Sequence, residues 1–270
     1  MALPIPDKGP KCALYIADKN VCMTEESLNK LKKAMHVYGM TDDNALSRIQ
    51  ELVGEPDEIS LLKNPKIKAL LGDATASSEL AQRFRPEGPA KGNALLSNFD
   101  VDGTLYQYAL AYRGFMPISY GMIDFKQYDS HLAEFSVKDM LKKGFNCAGC
   151  VINTDTHDGH GKHWICVFVD CRGKNWQVES FNSSGKPPRK EILDWMAAVQ
   201  LQLVENLPSK AHTTEQILIY GVQHQKGDSE CGVYALYYIW ARLNGFEAQS
   251  FLQNIIPDQE IEKFRGYLFR

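Results

Sequence analysis

The sequence has no excess of basic charge. Thirty Lys and Arg stand against 33 Asp and Glu, a formal net charge of −3 with an isoelectric point near 6.2. That balance leaves no electrostatic footprint for nucleic acid. No apolar run approaches the 18 or so residues a membrane span needs, so no membrane partner is expected. The first residues, Met1-Ala-Leu-Pro-Ile-Pro-Asp-Lys, have no apolar core of the signal-peptide kind, and export is not expected. Internal repeats and low-complexity tracts are also missing. Cysteine is present but odd in number, at 7. Without an export signal this argues against a disulfide framework and for reduced thiols in a cytosol-like compartment.

What remains is the composition of a soluble chain with a real core, 44% apolar and 23% charged over 270 residues. The length suits one large domain or a core with an appendage. Two amphipathic helices open the chain, one behind Thr24 and one behind Thr41, the second stopping at Gly54-Glu-Pro. Helical pieces follow near Lys66–Leu71 and Ser77–Phe84. The turn-rich stretch Arg85-Pro-Glu-Gly-Pro-Ala-Lys-Gly92 then marks a boundary, which predicts a helical arm over 1–85 and a core over 86–270. In the core, Thr104–Tyr112 reads as helix. Phe145–Thr154, His163–Asp170, Trp176–Phe181 and Gln216–Val222 read as strands. The strand from His163 is apolar on both faces and should be buried. An amphipathic helix carries Ile192, Trp195, Met196, Val199 and Leu203. A second, apolar nearly all round, begins at Cys231, and a closing helix covers about 260–270. The fold class expected is α+β.

Cys231 is the thiol whose surroundings suggest chemistry. A helix N-terminus lies at the positive end of the dipole and favours thiolate. The lead-in Gln223-His-Gln-Lys-Gly-Asp-Ser-Glu is unusually polar for such an apolar helix. Gly232 follows, small enough to let a substrate backbone approach the nucleophile. A nucleophilic Cys needs a base, and the base an orienter. If the hairpin turns symmetrically about Arg172-Gly173, paired residue numbers sum to 345. His163 then faces Asn182, which can fix the imidazole tautomer, and Glu179 opposes Cys166 on the other face. Gln225, in the loop before Cys231, could join the Cys231 backbone N–H in an oxyanion hole, with Gln223 and His224 as rivals for that part.

His163 with Trp164, Asn182 with Ser183, Gln225, and Cys231 with Gly232, in this chain order, resemble the SUMO-protease and adenovirus-protease clan of cysteine peptidases. Stretches such as Arg83-Phe-Arg-Pro-Glu-Gly-Pro, Leu95-Leu-Ser-Asn-Phe-Asp, Met122-Ile-Asp-Phe and Val169-Asp-Cys-Arg-Gly resemble the African swine fever virus branch, which processes viral polyproteins. The likeness covers about residues 64–270 well and the first 60 only in helical character. It implies a papain-like core of the SUMO-protease type, a central mixed or antiparallel sheet flanked by helices. It also implies roles: Cys231 as nucleophile, His163 as base and then acid, Asn182 as orienter where most of the clan has Asp, and Gln225 as oxyanion donor. A neutral orienter should leave His163 leaning on the thiolate as its ion-pair partner. Trp164 would narrow a channel for substrate glycines, and Trp164 and Gly232 would contact substrate. The implied substrates are viral structural polyproteins cut at Gly-Gly-Xaa-type sites during virion maturation, in the host cytoplasm at assembly sites and in the virion. No cofactor or metal is expected, and a monomer is favoured.

Two other chemistries use overlapping residues. Removal of SUMO-like or ubiquitin-like modifiers would need the same scissile motif. A zinc-binding interaction module would draw on Cys147, Cys150, His157 and His160. Against the module, only six residues separate Cys150 from His157, and Cys147 and Cys150 have opposite strand parity. An acetyltransferase with similar thiol chemistry lacks any cofactor-binding insertion here. His224 reads as a solvated loop residue or a neighbour of substrate, and Asp155–His160 as a polar loop over the rim of the site. Cys12, Cys22, Cys147, Cys150, Cys166 and Cys171 read as packing thiols.

Overall fold

In a computed structural model, residues 5–6, 9–89, 94–128 and 131–270 are described. Ala90-Lys-Gly92, the end of the boundary stretch, and most of the first eight residues lie outside them. The chain forms two compact units, Pro10–Pro86 and Glu87–Arg270, the latter with the described residues before Pro10.

The first unit is helical: α1 Glu25–Ala34, α2 Asp42–Val53, α3 Glu58–Lys63, α4 Pro65–Leu71 and α5 Asp73–Gln82. Thr24 caps α1 by accepting from the Ser27 N–H, and Gly54, at φ +81°, ends α2. Leu28, Leu31, Ile49, Leu61, Leu62, Ile67 and Phe84 form its core. The expectation of seven reduced thiols fails here, because Cys12 and Cys22 are joined in a disulfide. An isolated bridge from Cys12 to Phe84 and a buried Glu58 carboxylate accepting from the N–H groups of Cys22 and Met23 bring the two sulfurs together. Composition cannot show that proximity.

The second unit contains α6 Asn98–Ala111, β1 Phe115–Pro117, β2 Gly121–Met122, α7 Val137–Lys142, β3 Cys147–Asn153, β4 Trp164–Asp170, β5 Asn175–Phe181, α8 Lys190–Glu205, β6 Thr213–Ile219, α9 Cys231–Leu243, α10 Ser250–Gln253 and α11 Asp258–Leu268. The strands form one mixed sheet in the order β1-β3-β4-β5-β6, with β2 also on β3. β3, β4 and β5 are antiparallel, whereas β6 runs parallel to β5, and α8 makes the crossover that a parallel pair requires. This is the α+β class read from the residues and the mixed sheet flanked by helices that the resemblance implies. The last strand lies three residues earlier than expected, and α6 starts at a Ser97–Asp100 capping box rather than at Thr104.

Helices cover both faces of the sheet. Ile165, Val167, Val169 and Val178 point to the side where α8 packs through Ile192, Trp195, Met196, Val199 and Leu203. On the other side lies α9, all thirteen of whose residues are buried. Phe181 stacks on Tyr238 at 4.8 Å between ring centroids. Glu179 lies beneath Arg242, which reaches it at 2.9 Å. Each large apolar side chain so enclosed contributes roughly 1.5–3 kcal/mol, and the result is a rigid helix whose first residue is Cys231.

Candidate active site

Cys231 occupies the first turn of α9, and the polar loop before it is tied down through its backbone even where Lys226 and Gly227 are exposed. Asp258 accepts from the N–H groups of Lys226 and Gly227 at 3.0 and 2.9 Å. Arg265, fully buried, donates to the Ser229 carbonyl at 3.2 Å. The Glu230 carboxylate takes the N–H and hydroxyl of Ser229. Cys231 is therefore fixed from the loop side and the helix side together.

Burial pushes the Cys231 thiol above its ordinary pKa; hydrogen bonds from the backbone N–H groups of Trp164, Gly232 and Cys231 itself oppose the shift, and the Glu230 charge adds to it. Desolvation thus works against the thiolate that the helix dipole favours. The other free thiols are less suited. Cys147 and Cys171 are each pushed up to about 12 by burial, and Cys150 and Cys166 further still.

His163 immediately precedes β4 and Asn182 immediately follows β5, both just past the β4–β5 ladder. The His163 Nε2 and Asn182 Oδ1 lie 2.8 Å apart. The amide is oriented without ambiguity, because its Nδ2 donates to the Lys186 carbonyl at 3.0 Å and its Oδ1 accepts from the Ser184 N–H at 3.1 Å. An acceptor at Oδ1 requires a proton on His163 Nε2, which leaves the Nδ1 lone pair to act as base. Burial lowers the His163 pKa, with the Asn182 bond opposing and the Lys186 charge assisting the shift. Burial thus disfavours the charged form of both groups, the imidazolium and the thiolate.

The hairpin register differs from the predicted one. Cys166 pairs with Phe181 and Phe168 with Glu179, so paired numbers sum to 347. The slip of two residues preserves faces. His163 and Asn182 become diagonal neighbours, within reach of long side chains, and Glu179 keeps to the α9 face.

Trp164 is buried, and its indole N–H donates to the Leu96 carbonyl at 3.1 Å. A Cβ on Gly232 would come within 3.1 Å of both the Trp164 ring and Leu96. Gly232 is thus small because Trp164 and Leu96 lie against it, a packing reason where the sequence suggested a substrate one. A cleft of about 410 Å3 runs over this junction, lined by Leu95, Leu96, Tyr120, Met122, His160, His163, Trp164 and Cys231 among others. Leu96 is a functional neighbour that periodicity could not reveal; its position in the Leu95-Leu-Ser-Asn-Phe-Asp stretch was the available signal. A larger cavity of about 530 Å3 lies between α6, β1 and α7 and contains none of these site residues.

The loop from Asp155 to Lys162 forms one wall of the cleft. The Asp155 carboxylate ties it together, accepting from Thr156, Gly161 and the Lys162 ammonium. The zinc alternative is not assembled. His157 pairs with Asp124 at 2.9 Å, Cys150 donates to the Ser119 carbonyl, and Cys147 donates to that of Gly114. No cluster of three metal-ligating side chains occurs among the described residues.

Gln225 is buried beside Ser183, whose hydroxyl donates to its Oε1 at 2.9 Å. Its Nε2 donates to Gly227 O at 2.9 Å, a bond that uses one of two amide hydrogens. Gln225 is not among the residues lining the cleft. His224 is not the solvated residue expected. It is 1% exposed, accepts from the Ile256 N–H and sits against Phe181, Tyr234 and Phe251.

Residues 146–270 match the Ulp1 protease family, C-terminal catalytic domain. A SUMO-1 cysteine protease of African swine fever virus is 32% identical over a 281-position alignment that covers 98% of this chain and 97% of that protein. A candidate thiol protease of Acanthamoeba polyphaga mimivirus is 28% identical over 79% of this chain and 69% of its own. The crystal structure of the African swine fever virus protease superposes with a TM-score of 0.82 at 30% identity, covering 98% of this chain and 97% of that one.

Proposed function

Because this chain belongs to the Ulp1-type family of cysteine proteases, we propose that it is an endopeptidase that cuts viral structural polyproteins at Gly-Gly-Xaa-type sites during virion maturation. Its nucleophile is Cys231, its base His163, its orienter Asn182 and its oxyanion donors the Cys231 backbone N–H and Gln225. The observation that carries the reading is the 2.8 Å contact from Asn182 to His163, which lines one cleft together with Cys231.

The steps follow from the tautomer. As the Cys231 sulfur attacks the scissile carbonyl carbon, its proton passes to His163 Nδ1. The carbonyl electron pair moves onto oxygen, where the N–H donors stabilise it. When the carbonyl reforms, the C–N bond breaks and His163 returns the proton to the leaving amine, leaving a thioester on Cys231. Water, deprotonated by His163, attacks that thioester and releases the acid product and the thiol. Asn182 carries no charge and moves no proton; its bond to Nε2 keeps the proton there and leaves Nδ1 as the acceptor.

The glycine preference rests on Trp164, anchored to Leu96 beside the nucleophile. Such a wall selects by excluding bulk rather than binding it. Action at cytoplasmic assembly sites and in the virion accords with polyprotein substrates, and immunogold labelling of infected cells confined to nuclei would contradict it. Peptide cleavage tests the chemistry: Cys231→Ala and His163→Ala should each abolish cleavage with folding intact. A peptide library should favour glycine before the cut, and a preference there for bulky residues would refute the proposed selectivity.

A further inference from the structure

One buried side chain ties the loop of the base's orienter to the loop of the nucleophile. Ser183 directly follows Asn182 and is 1% exposed. Its carbonyl accepts from two successive N–H groups, His224 at 2.9 Å and Gln225 at 3.0 Å. Its hydroxyl lies 2.9 Å from Gln225 Oε1. The direction of that last bond is fixed. Gln225 Nε2 lies 2.9 Å from the Gly227 carbonyl, which can only accept, so the amide nitrogen is there and the oxygen faces Ser183. Ser183 must therefore donate. With Oε1 held, the planar amide can turn neither over nor about its last torsion, and the second Nε2 hydrogen points in one direction.

We propose that Ser183 is a positioning residue that aims the Gln225 amide at the developing oxyanion, a role resting on the reading of Gln225 as an oxyanion donor. A donor contributes most when its direction is set before the charge forms, because no reorganisation is then paid during the reaction. A freely rotating glutamine would spend part of its time presenting its oxygen, which repels the same charge. The contact leaves the ground-state peptide untouched, so its loss should appear in kcat and not in KM.

The test is steady-state cleavage of a Gly-Gly-Xaa peptide by the full chain, together with the rate of Cys231 alkylation by iodoacetamide, which forms no oxyanion. Ser183→Ala should lower kcat about tenfold, with KM and alkylation within about twofold of wild type. Gln225→Ala should lower kcat about a hundredfold. The double variant should be no slower than Gln225→Ala, because the hydroxyl then has nothing to orient. Ser183→Cys, of similar size but a weak donor, should also be slow, and it carries the test if the alanine variant does not fold. Wild-type kcat in Ser183→Ala beside a slow Gln225→Ala would overturn the proposal. So would slowed alkylation, which would place the effect on the Cys231–His163 pair, or a double variant slower by the full Ser183→Ala factor. Wild-type kcat in Gln225→Ala would instead remove the oxyanion reading itself.

Discussion

His163 illustrates how one side chain's chemistry depends on what its partner cannot do. Asn182 can accept a proton's hydrogen bond but offers no charge, so burial is free to lower the imidazole pKa. A base with a depressed pKa is fully neutral above the ordinary imidazole value of about 6.5 and is lost as pH falls below it. The acid limb of kcat/KM should therefore lie below pH 6.5. Asn182→Asp places an anion against Nε2 and stabilises imidazolium, so that limb should move to higher pH; an unmoved limb would contradict the orienter role. The residue types and their shared face were legible in the sequence, since parity survives a slip of two. The burial that raises the Cys231 thiol and lowers the His163 imidazole was not, because helix polarity can be read from a sequence and depth of burial cannot.

The elements that present these residues are held together by their loops. Gly185 sits at φ +71°, and a Cβ there would come within 2.9 Å of the backbone at Val222 and Gln223. Its carbonyl accepts from Gly221 at 2.8 Å, next to the two bonds that Ser183 receives. Gly185→Ala should thus cost about 2 kcal/mol or more through left-handed strain and backbone contact, and it should also lower kcat by spreading the two loops. Thermal melting with parallel kinetics checks both, and an unchanged melting temperature would show that the loops yield freely. Long elements were readable, α8 from its amphipathic period and α9 and β4 from unbroken apolar stretches. β1, with three residues, and β2, with two, are too short to carry a period and exist because β3 pairs with them. The apolar residues of α6 are spread around its axis, so its start was recorded only in the Ser97–Asp100 box.

At the scale of the whole molecule, the enclosed His224 couples folding to pH. Burial lowers its pKa to about 4, whereas an unfolded chain would hold it near 6.5. Between those values the unfolded state binds the extra proton, so stability is retained above about pH 6.5 and lost as pH falls toward 4, on the order of 3 kcal/mol. Denaturant unfolding at pH 7 and pH 5 should show the loss, and His224→Gln should reduce it; equal losses in both proteins would assign it elsewhere. The disulfide belongs to this scale as well. Cys12 and Cys22 looked like two more reduced thiols because counting cysteines does not reveal a bridge at Phe84 or a carboxylate at Glu58. Cys231 was separable from the other six by its polar lead-in and apolar helix. The most direct test of the account is one-to-one alkylation of the folded protein followed by peptide mapping. The account predicts that protease activity falls in step with label on Cys231 alone. Full activity in protein carrying one label on Cys231, or inactivation with the label on another thiol, would contradict it.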